Sequence, residues 1–377
     1  MNEFQRSATV NIDLDALAFN FHAASKFIGD DVKYMAVVKA DAYGHDAVAC
    51  SKRLEKEGAD WLAVALPEEG IELREAGIKI PILCLRGYEG SAPDDLLKYH
   101  ITPVLYQPEK IAEFNKSAAE LEVKVKIHVK IDTGMGRVGV RFDEIDCVLD
   151  ALTNAENLTV QGLMTHFAAA DDPEKDLFSQ MQTERFYNCV ERFRDVGIEP
   201  EFFDLANSPA AIAMPGTRGN MVRLGGILYG LIGDVLPPGI DHPETKPVLS
   251  LRTSVSSLRK IHRGETVGYG QTFSASRETL VATVPLGYAD GLMRSLSNRG
   301  SAIVGDRIVP IIGRISMDWA TLDVTDCQNV KIGDEAVFIG SSKGIAITAE
   351  EMAKAAGTIS YEITCDLNQR VAKTYKS

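Results

Sequence analysis

Hydrophobic and polar residues follow a repeated order along the first two-thirds of the chain. Short apolar, β-branched runs are each followed by a longer segment rich in helix-forming residues. Such runs have the length and composition of buried strands. The pattern predicts strands near residues 34–39, 61–65, 81–85, 102–106, 124–131, 160–165, 201–205 and 221–224.

The segments between these runs are predicted to be helices, with residues 46–57 and 175–195 as the clearest examples. Glycines are expected to end helices at Gly58, Gly77 and Gly197. Eight strand–helix units in roughly 200–250 residues predict a closed (β/α)8 TIM barrel. The alternative is an open doubly wound sheet, which would more naturally have a glycine-rich phosphate-binding turn after its first strand.

The alternation of strand and helix patterns ends after Gly230. Residues 234–247 are rich in proline and glycine and indicate a linker. Short alternating runs then predict a smaller, mainly β C-terminal domain with one helix near 348–356. The fold class is therefore α/β, with a barrel domain at 1–240 and a β domain at 241–377. The β domain is predicted to contain strands at Val248–Ile261, Thr279–Pro285, Ala302–Val304, Ile308–Ile312, Thr321–Val324 and Ala336–Ile339, and to borrow the edge strand Thr9–Ile12.

Charge and cysteine content narrow the function classes. The 377 residues carry a net charge of −13, which argues against a nucleic-acid partner. No apolar run approaches the roughly 20 residues that a membrane span needs, so no membrane partner is predicted. Met1–Arg6 lacks the pattern of a secretory signal, and a cytoplasmic location is expected. The scattered cysteines predict no disulfide or metal site, and reduced, buried thiols are expected at Cys50, Cys84, Cys147, Cys189, Cys327 and Cys365.

Lys39 stands at the end of the first predicted strand, before the small-residue turn Ala40-Asp-Ala-Tyr43-Gly. An amine held in an apolar site has a lowered pKa and becomes a usable nucleophile or base, as Schiff-base chemistry requires. Taken alone, the segment equally fits a lysine that merely extends its ammonium group into solvent at a strand end.

Other candidate residues follow the remaining strands, and in a barrel these positions meet at one end. Each has an ordinary structural explanation when taken singly, but their convergence favours a site. Ser208, Gly225 and Gly226 fit a phosphate cradle, because small residues let the backbone approach an anion. A lysine nucleophile beside a phosphate cradle predicts pyridoxal phosphate as the cofactor. The barrel-end set is Lys39, Tyr43, Lys130, Arg137, His166, Asn207, Ser208, Arg223, Gly225 and Gly226.

Arg223 is expected to face the ring nitrogen of this cofactor. A guanidinium group stays charged, so it donates to the nitrogen but hardly protonates it. This favours removal and return of a single proton over transamination. Tyr269, between two glycines of the predicted β domain, is a candidate second base. A phenol has a pKa of about 10, so it needs nearby cations to act as a base. Taken alone, this residue is more simply interpreted as a tyrosine in a β turn.

The motifs resemble the bacterial alanine racemase family along nearly the whole chain. Their order and spacing are specific, beginning with Ala36-Val-Val-Lys39-Ala-Asp-Ala-Tyr43-Gly-His45. The others are Lys130-Ile-Asp-Thr-Gly-Met-Gly-Arg137, Met164-Thr-His166, Ala206-Asn207-Ser208, Arg223-Leu-Gly225-Gly226, Gly268-Tyr269-Gly270, Pro285-Leu-Gly-Tyr288, Met317-Asp318 and Tyr361-Glu362.

The resemblance implies a homodimer with shared active sites, pyridoxal phosphate and a small amino acid substrate. Lys39 resembles the residue that joins the cofactor and serves as base for the D-enantiomer. Tyr269 resembles the opposing base, which serves the L-enantiomer in the partner subunit's site. Arg223 resembles the arginine on the pyridine nitrogen, and His166 the histidine that links the tyrosine to that arginine.

The remaining site residues are also implied by the resemblance. Arg137 matches the arginine that contacts the cofactor's phenolic oxygen and the substrate carboxylate. Lys130 matches a lysine that is carbamylated in many members and orients that arginine. Met317 resembles the residue whose backbone helps to hold the substrate carboxylate, and Tyr288 would help to narrow the entrance. The phosphate site would comprise Tyr43, Asn207, Ser208, Gly225, Gly226 and Tyr361.

The chain departs from the family pattern at several positions. Many members have a histidine where Asp204 stands, and an ion pair or water-mediated bond between Asp204 and Arg223 is predicted. Ser316 replaces a frequent cysteine, which should have a mild effect. Gly226 replaces a common isoleucine and is expected to weaken binding of the phosphate group slightly. The ending at 370–375 is also a variant of the usual one.

Three other functions fit parts of the pattern. A barrel decarboxylase would generally place a carboxylate on the pyridine nitrogen, which Arg223 argues against. A serine or broader-specificity racemase differs less, because a pocket rejects one added hydroxyl poorly. A non-catalytic barrel that carries pyridoxal phosphate would lack the region 248–377.

Overall fold

The structure is a computed structural model that describes residues 7–89, 93–237 and 239–376. Met1–Arg6, whose composition argued against an export signal, lie outside the described residues. Within the described ranges, no helix has both the length and the apolar character needed to cross a bilayer.

Eight parallel strands form a closed barrel, which confirms the predicted fold class. The first and last strands pair, with Met221 opposite Lys33 and Leu224 opposite Ala36. The seventh and eighth strands are joined where the Arg223 N–H donates to the Ala206 carbonyl at 2.9 Å. The barrel strands are Lys33–Val37, Trp61–Val64, Ile82–Cys84, Thr102–Leu105, Val125–Asp132, Leu158–Met164, Phe202–Asp204 and Met221–Leu224.

Helices surround this barrel, and glycines in left-handed conformation follow several of them. Gly58, Gly77 and Gly197 have φ of 95°, 96° and 80°, directly beyond three of the helices, as predicted. The helices are Leu14–Ile28, Ala47–Lys56, Pro67–Glu75, Asp94–Lys98, Pro108–Glu120, Asp146–Thr153, Asp176–Asp195 and Ser208–Ala213.

The barrel interior is filled by alternate side chains of its strands. Trp61 and Phe202 pack against the buried His128, with ring centroids 5.4 Å and 6.2 Å from it. Gly162 makes room for this imidazole, because a Cβ there would lie 2.5 Å from it. The strand residues that point outward pack against the helices in the larger core. A filled interior leaves the carboxyl ends of the strands as the place for a cavity.

The C-terminal part is mainly β, as predicted. Its largest sheet has the order Arg307–Pro310, Ser301–Val304, Glu335–Ser342, Leu249–Ser254, Thr9–Asp13, Ala372–Lys376, with Ile345–Ile347 beside Glu335–Ser342. A second sheet contains Ser257–Ile261, Thr279–Val284 and Ala320–Asp323, and a hairpin pairs Thr266–Val267 with Phe273–Ser274. Two helices complete this part, Ala349–Ala356 and Ser360–Cys365.

Two strand predictions need correction. The predicted strand Thr9–Ile12 does pair with the β domain, but it is not an edge, because Ala372–Lys376 pairs with it in parallel on the outer side. The predicted single strand Val248–Ile261 is two strands in different sheets. The chain changes sheets at Val255, whose N–H donates to Asp334, before Ser256 donates to Thr283.

The cysteines also differ from expectation. All six are free, but Cys147 and Cys365 are exposed and Cys327 is only partly buried, whereas all six were expected to be buried. Cys147 lies in the first turn of a helix whose apolar residues Val148, Leu149 and Leu152 face the core. Cys365 ends a short helix that buries Ile363 and Thr364 instead. Cys147 therefore lies on the outer side of its helix and Cys365 at the end of its own, and cysteine spacing alone does not reveal these positions.

Candidate active site

A cavity of about 630 Å³ lies at the carboxyl ends of the barrel strands. It collects residues from strands far apart in the chain, as a barrel requires. Most of the predicted site residues line it, namely Lys39, Tyr43, Lys130, Arg137, His166, Asn207, Ser208, Arg223, Gly225, Gly226 and Tyr361.

Lys39 opens an unusual turn after the first barrel strand. The four residues that follow, Ala40 to Tyr43, all have left-handed backbone angles, with φ between 51° and 56°. Each such non-glycine residue costs about 1–2 kcal/mol, so the surroundings must hold the turn in place. The carboxylate of Glu69 supports the first residue of the turn, because it accepts a hydrogen bond from the Ala40 N–H at 2.7 Å.

Two lysine amines in the cavity hold their protons weakly. Burial and the nearby Arg137 lower the pKa of Lys39. Burial and the nearby Arg223 lower the pKa of Lys130 to about 7. An amine without its proton is a nucleophile, so the cavity meets the chemical requirement for covalent attachment of an aldehyde.

Arg223 is buried and fixed by several acceptors. Its terminal nitrogens donate to the Asp204 carbonyl at 3.0 Å and to the Thr165 carbonyl at 2.9 Å. They also form an ion pair with the Asp204 carboxylate, which confirms that prediction. Burial raises the pKa of Asp204, and the Arg223 guanidinium opposes this rise. A buried charge held this closely keeps one orientation.

His166 accepts a hydrogen bond from Arg223. The distance from Nη2 of Arg223 to Nδ1 of His166 is 3.2 Å. Because a guanidinium only donates, Nδ1 carries no proton and the proton of a neutral ring is on Nε2. Burial, Arg223 and Lys130 lower the pKa of His166 well below its usual value, so the ring is neutral near pH 7.

The opposite end of the cavity is a cradle of small residues and phenols. The Gly225 N–H donates to Oγ of Ser208 at 2.9 Å. A Cβ at Gly225 would lie 2.8 Å from the Tyr43 hydroxyl, and a Cβ at Gly226 would overlap the Tyr361 hydroxyl. The rings of Tyr43 and Tyr361 are 5.1 Å apart. Side chains larger than hydrogen at the two glycines would therefore displace both phenols from this end.

Tyr269, Tyr288 and Met317 lie elsewhere, on the β domain. Tyr269 begins a short turn between two glycines and is 73% exposed, and it lines a groove with Ser316 and Trp319. Met317 and Tyr288 are 53% and 42% exposed. Their backbones run side by side, because the Tyr288 N–H donates to the Ser316 carbonyl and the Ala289 N–H donates to the Met317 carbonyl, each at 3.0 Å. These residues thus share a solvent-exposed face and do not line the cavity of their own chain.

Sequence reasoning missed several cavity residues with polar chemistry. Arg86 and Asp171 line the cavity, as does Asp234 from the predicted linker. Asp234 accepts both the N–H and the hydroxyl of Ser360, at 2.5 Å and 2.6 Å, and so positions the helix that carries Tyr361. Arg86 and Asp171 follow barrel strands, and that position was the available signal. Asp234 gave no such signal because its partner is 126 residues away.

Comparisons with known proteins agree with this geometry. A family model for the N-terminal domain of alanine racemase matches residues 12–232, and one for its C-terminal domain matches residues 248–375. The alanine racemase of Halothermothrix orenii is 40% identical over 375 residues, which cover 99% of this chain and 97% of the relative. That of Geobacter sp. strain M21 is 40% identical over 378 residues, which cover 98% and 99%.

Solved structures are also similar over nearly the whole chain. Alanine racemase from a D-cycloserine-producing Streptomyces lavendulae has a TM-score of 0.94 at 33% identity, covering 100% of this chain and 98% of that one. The Bacillus anthracis alanine racemase with bound L-Ala-P has a TM-score of 0.90 at 34% identity, covering 99% and 96%. The Bartonella henselae alanine racemase with covalently bound pyridoxal phosphate has a TM-score of 0.87 at 27% identity, covering 99% and 100%.

The barrel, its lysine cavity and the appended β domain define a barrel-type isomerase that depends on pyridoxal phosphate. The chain belongs to the alanine racemase family, whose two domain models match it along most of its length. The family, fold class, enzyme class and cofactor predicted from the sequence are thereby confirmed.

Proposed function

We propose that this protein interconverts L-alanine and D-alanine, with Lys39 and Tyr269 of the partner subunit as the two bases. The observation that carries the proposal is the single cavity in which Lys39, Arg223 and the glycine cradle lie together. The D-alanine would serve peptidoglycan synthesis in the cytoplasm. We also propose that the chain divides into domains at 1–240 and 241–377.

The cavity residues fit pyridoxal phosphate. The hydroxyls of Tyr43, Ser208 and Tyr361, with the Gly225 and Gly226 backbone and the neighbouring Asn207, would hold its phosphate. Because neither glycine has a Cβ, the backbone and the two phenol hydroxyls can come close together around such an anion. Arg223 would donate a hydrogen bond to the ring nitrogen. Its Nε is available for this, because it has no hydrogen-bond partner among residues 7–89, 93–237 and 239–376. When bound, the cofactor supplies the electron sink that makes an amino acid's α-proton removable.

The protein's own residues then control where protons go. Lys39, with its lowered pKa, accepts a proton on one side of the substrate. Arg223 is paired with Asp204, and a guanidinium donates hydrogen bonds without giving up a proton, which favours return of a single proton over transamination. His166 is neutral and fixed by Arg223, so it adds a hydrogen-bonding group without adding charge.

The second base must come from outside this chain's cavity. Tyr269 is exposed on the β domain, together with Tyr288 and Met317. Large exposed apolar and aromatic side chains that share one face are typical of an interface. A homodimer would therefore place Tyr269 of one chain opposite Lys39 of the other, and two bases on opposite faces are what racemisation requires.

Substrate recognition is proposed for residues of both chains. Arg137 lines the cavity, and among the described residues its guanidinium has no partner, which leaves it free for a substrate carboxylate. The Met317 backbone of the partner would contact the same carboxylate, and Tyr288 would narrow the entrance. Lys130, whose pKa is about 7, offers a neutral amine to carbon dioxide, and we propose it as a carbamylation site that orients Arg137.

The test is a racemisation assay combined with absorbance spectroscopy. Purified protein should racemise L-alanine and have the visible absorbance band of lysine-linked pyridoxal phosphate. Lys39→Ala should lose both, whereas Lys33→Ala, at the exposed start of the same strand, should keep both. Faster turnover of serine than of alanine would favour the serine or broader racemase. An intact band without any racemisation would favour the non-catalytic barrel.

A further inference from the structure

The C-terminal strand reaches the turn that carries Lys39. Lys373 forms an ion pair with Asp41 in the middle of that turn, and the Lys373 side chain is only 16% exposed. Tyr375 donates from its hydroxyl to the carboxylate of Asp46, just beyond the turn, at 2.6 Å. The chain's last strand therefore contacts the Lys39 segment at two points, more than 300 residues away in sequence.

The alternation of the strand separates these contacts from others. Lys373 and Tyr375 point to one face of Ala372–Lys376, because side chains two residues apart share a face. Thr374 and Lys376 point to the other face, where they bond to Asn11 and Asp13 of the neighbouring strand. One face of this strand thus contacts the turn after Lys39, and the other face contacts the neighbouring strand of its sheet.

The turn depends on outside support. Ala40, Asp41, Ala42 and Tyr43 are all left-handed, which L-residues avoid. Asp41 is central to this support. One of its carboxylate oxygens accepts a hydrogen bond from the Ala47 N–H at 2.7 Å, and the other accepts one from the Lys373 ammonium group. Asp46 has a similar double role, since it caps the following helix through Ala49 at 2.8 Å and accepts Tyr375.

We propose that Lys373 and Tyr375 are positioning residues that hold the Lys39–Tyr43 turn in its left-handed form and so keep the cofactor site assembled. This inference rests on the proposed role of Lys39 and Tyr43 in binding pyridoxal phosphate. It makes the edge of the β-domain sheet a structural part of the barrel's site. The link runs from the sheet through Asp41 to the backbone turn that begins at Lys39.

The experiment compares matched variants in the full-length protein. Lys373→Met removes the charge but keeps the aliphatic stem, and Tyr375→Phe removes only the hydroxyl. Lys376→Met is the control, because it breaks an ion pair of the same strand that faces Asp13 instead. Lys373→Arg should restore the Asp41 contact. Two readouts are used: the dissociation constant of pyridoxal phosphate, and amide hydrogen exchange of residues 39–47 in cofactor-free protein.

We expect Lys373→Met to weaken cofactor binding about tenfold and Tyr375→Phe about threefold, as loss of a part-buried ion pair and of one hydrogen bond implies. Exchange at residues 39–47 should accelerate in both, with a melting temperature close to that of Lys376→Met. Unchanged binding and exchange in Lys373→Met would overturn the proposal, as would equal losses in Lys376→Met. If the wild type binds no pyridoxal phosphate while exchange still accelerates in Lys373→Met, the positioning role stands and the proposed function fails.

Discussion

At the scale of single residues, the Arg223–Asp204 pair decides the character of the site. Both side chains are buried, with exposed fractions of 4% and 0%. One carboxylate oxygen of Asp204 bonds to Arg223, whereas Oδ2 has no hydrogen-bond partner in the described part of the chain. A buried pair of this kind adds little net stability, but removal of one partner leaves an uncompensated charge. The pair therefore fixes the orientation of the Arg223 side chain.

Replacing Asp204 by Asn should expose this dependence. Arg223 would lose its counter-ion in a dry site, so the free energy of unfolding should fall by about 3 kcal/mol in urea denaturation. The matched control is Asp326→Asn, which breaks the exposed pair with Arg277 and should leave stability almost unchanged, because solvent screens such a pair. Equal effects in the two variants would contradict the argument.

The lowered pKa of Lys130 gives a prediction for pH dependence. Its value falls from 10.5 in a free lysine to about 7 in the folded protein. Between these values the unfolded chain binds a proton that the folded chain does not, so the free energy of unfolding rises as pH increases from about 7 to about 10.

Lys130→Met should flatten this rise, measured on cofactor-free protein in buffers purged of carbon dioxide. Lys33→Met is a suitable control, because Lys33 is exposed and its pKa is raised by Asp60. It should leave the slope across that pH range unchanged. An undiminished slope in Lys130→Met would contradict this prediction, whereas a smaller residual slope is expected from Lys39, whose pKa is also lowered by burial.

At the scale of elements, the turn at 39–44 is the feature on which the site depends. Its last residue, Gly44, has a φ of 83° and lies against the carbonyl of Thr364. The close approach brings the helix Ser360–Cys365, and hence Tyr361, next to Tyr43. One glycine therefore sets both the backbone of the turn and the spacing of the two phenols.

Gly44→Ala should be severe, because the new Cβ would overlap the Thr364 carbonyl in a conformation that L-residues rarely adopt. A loss of about 3 kcal/mol in unfolding free energy, with weaker cofactor binding, is expected. Gly58→Ala provides the comparison, because its φ of 95° is similar but nothing lies within 4 Å of the added Cβ. It should cost about 1 kcal/mol and leave cofactor binding intact.

At the scale of the whole molecule, the predicted bases lie on separate surfaces. Lys39 lines the barrel cavity, whereas Tyr269 lies on an exposed face of the β domain. In the proposed function, one chain presents two halves of a site, and a second chain would be needed to join them. This arrangement makes assembly a condition for activity in the proposed function.

Mixing two inactive variants tests this arrangement. Lys39→Ala and Tyr269→Phe chains, refolded or co-expressed together, should form hybrid dimers in which one site contains both bases. With random pairing, about half of the dimers are hybrids with one intact site of two, so recovery of about a quarter of wild-type activity is expected. Each variant alone should stay inactive, and no recovery in the mixture would argue against a shared site.

Much of this protein follows from its sequence alone. The alternation of apolar runs and helix formers determined all eight barrel strands, because strand and helix periods are local properties of a chain. The barrel topology then gathered Lys39, Arg137, His166 and Arg223 at one end, since parallel strands share their carboxyl edge. Even the Asp204–Arg223 pair was predictable, because the two residues end adjacent strands.

Only the tertiary structure decided the contacts that join distant segments without a local signal. The left-handed turn after Lys39 forms an ion pair with Lys373, which is 332 residues away from Asp41. The hydrogen bond between Asp234 and Ser360 joins residues 126 positions apart. The exposure of Cys147 and the inner position of Thr9–Asp13 likewise depend on what packs beside them. Periodicity fixes which face of an element is apolar, but the neighbour that covers that face is chosen by the packing of the whole chain.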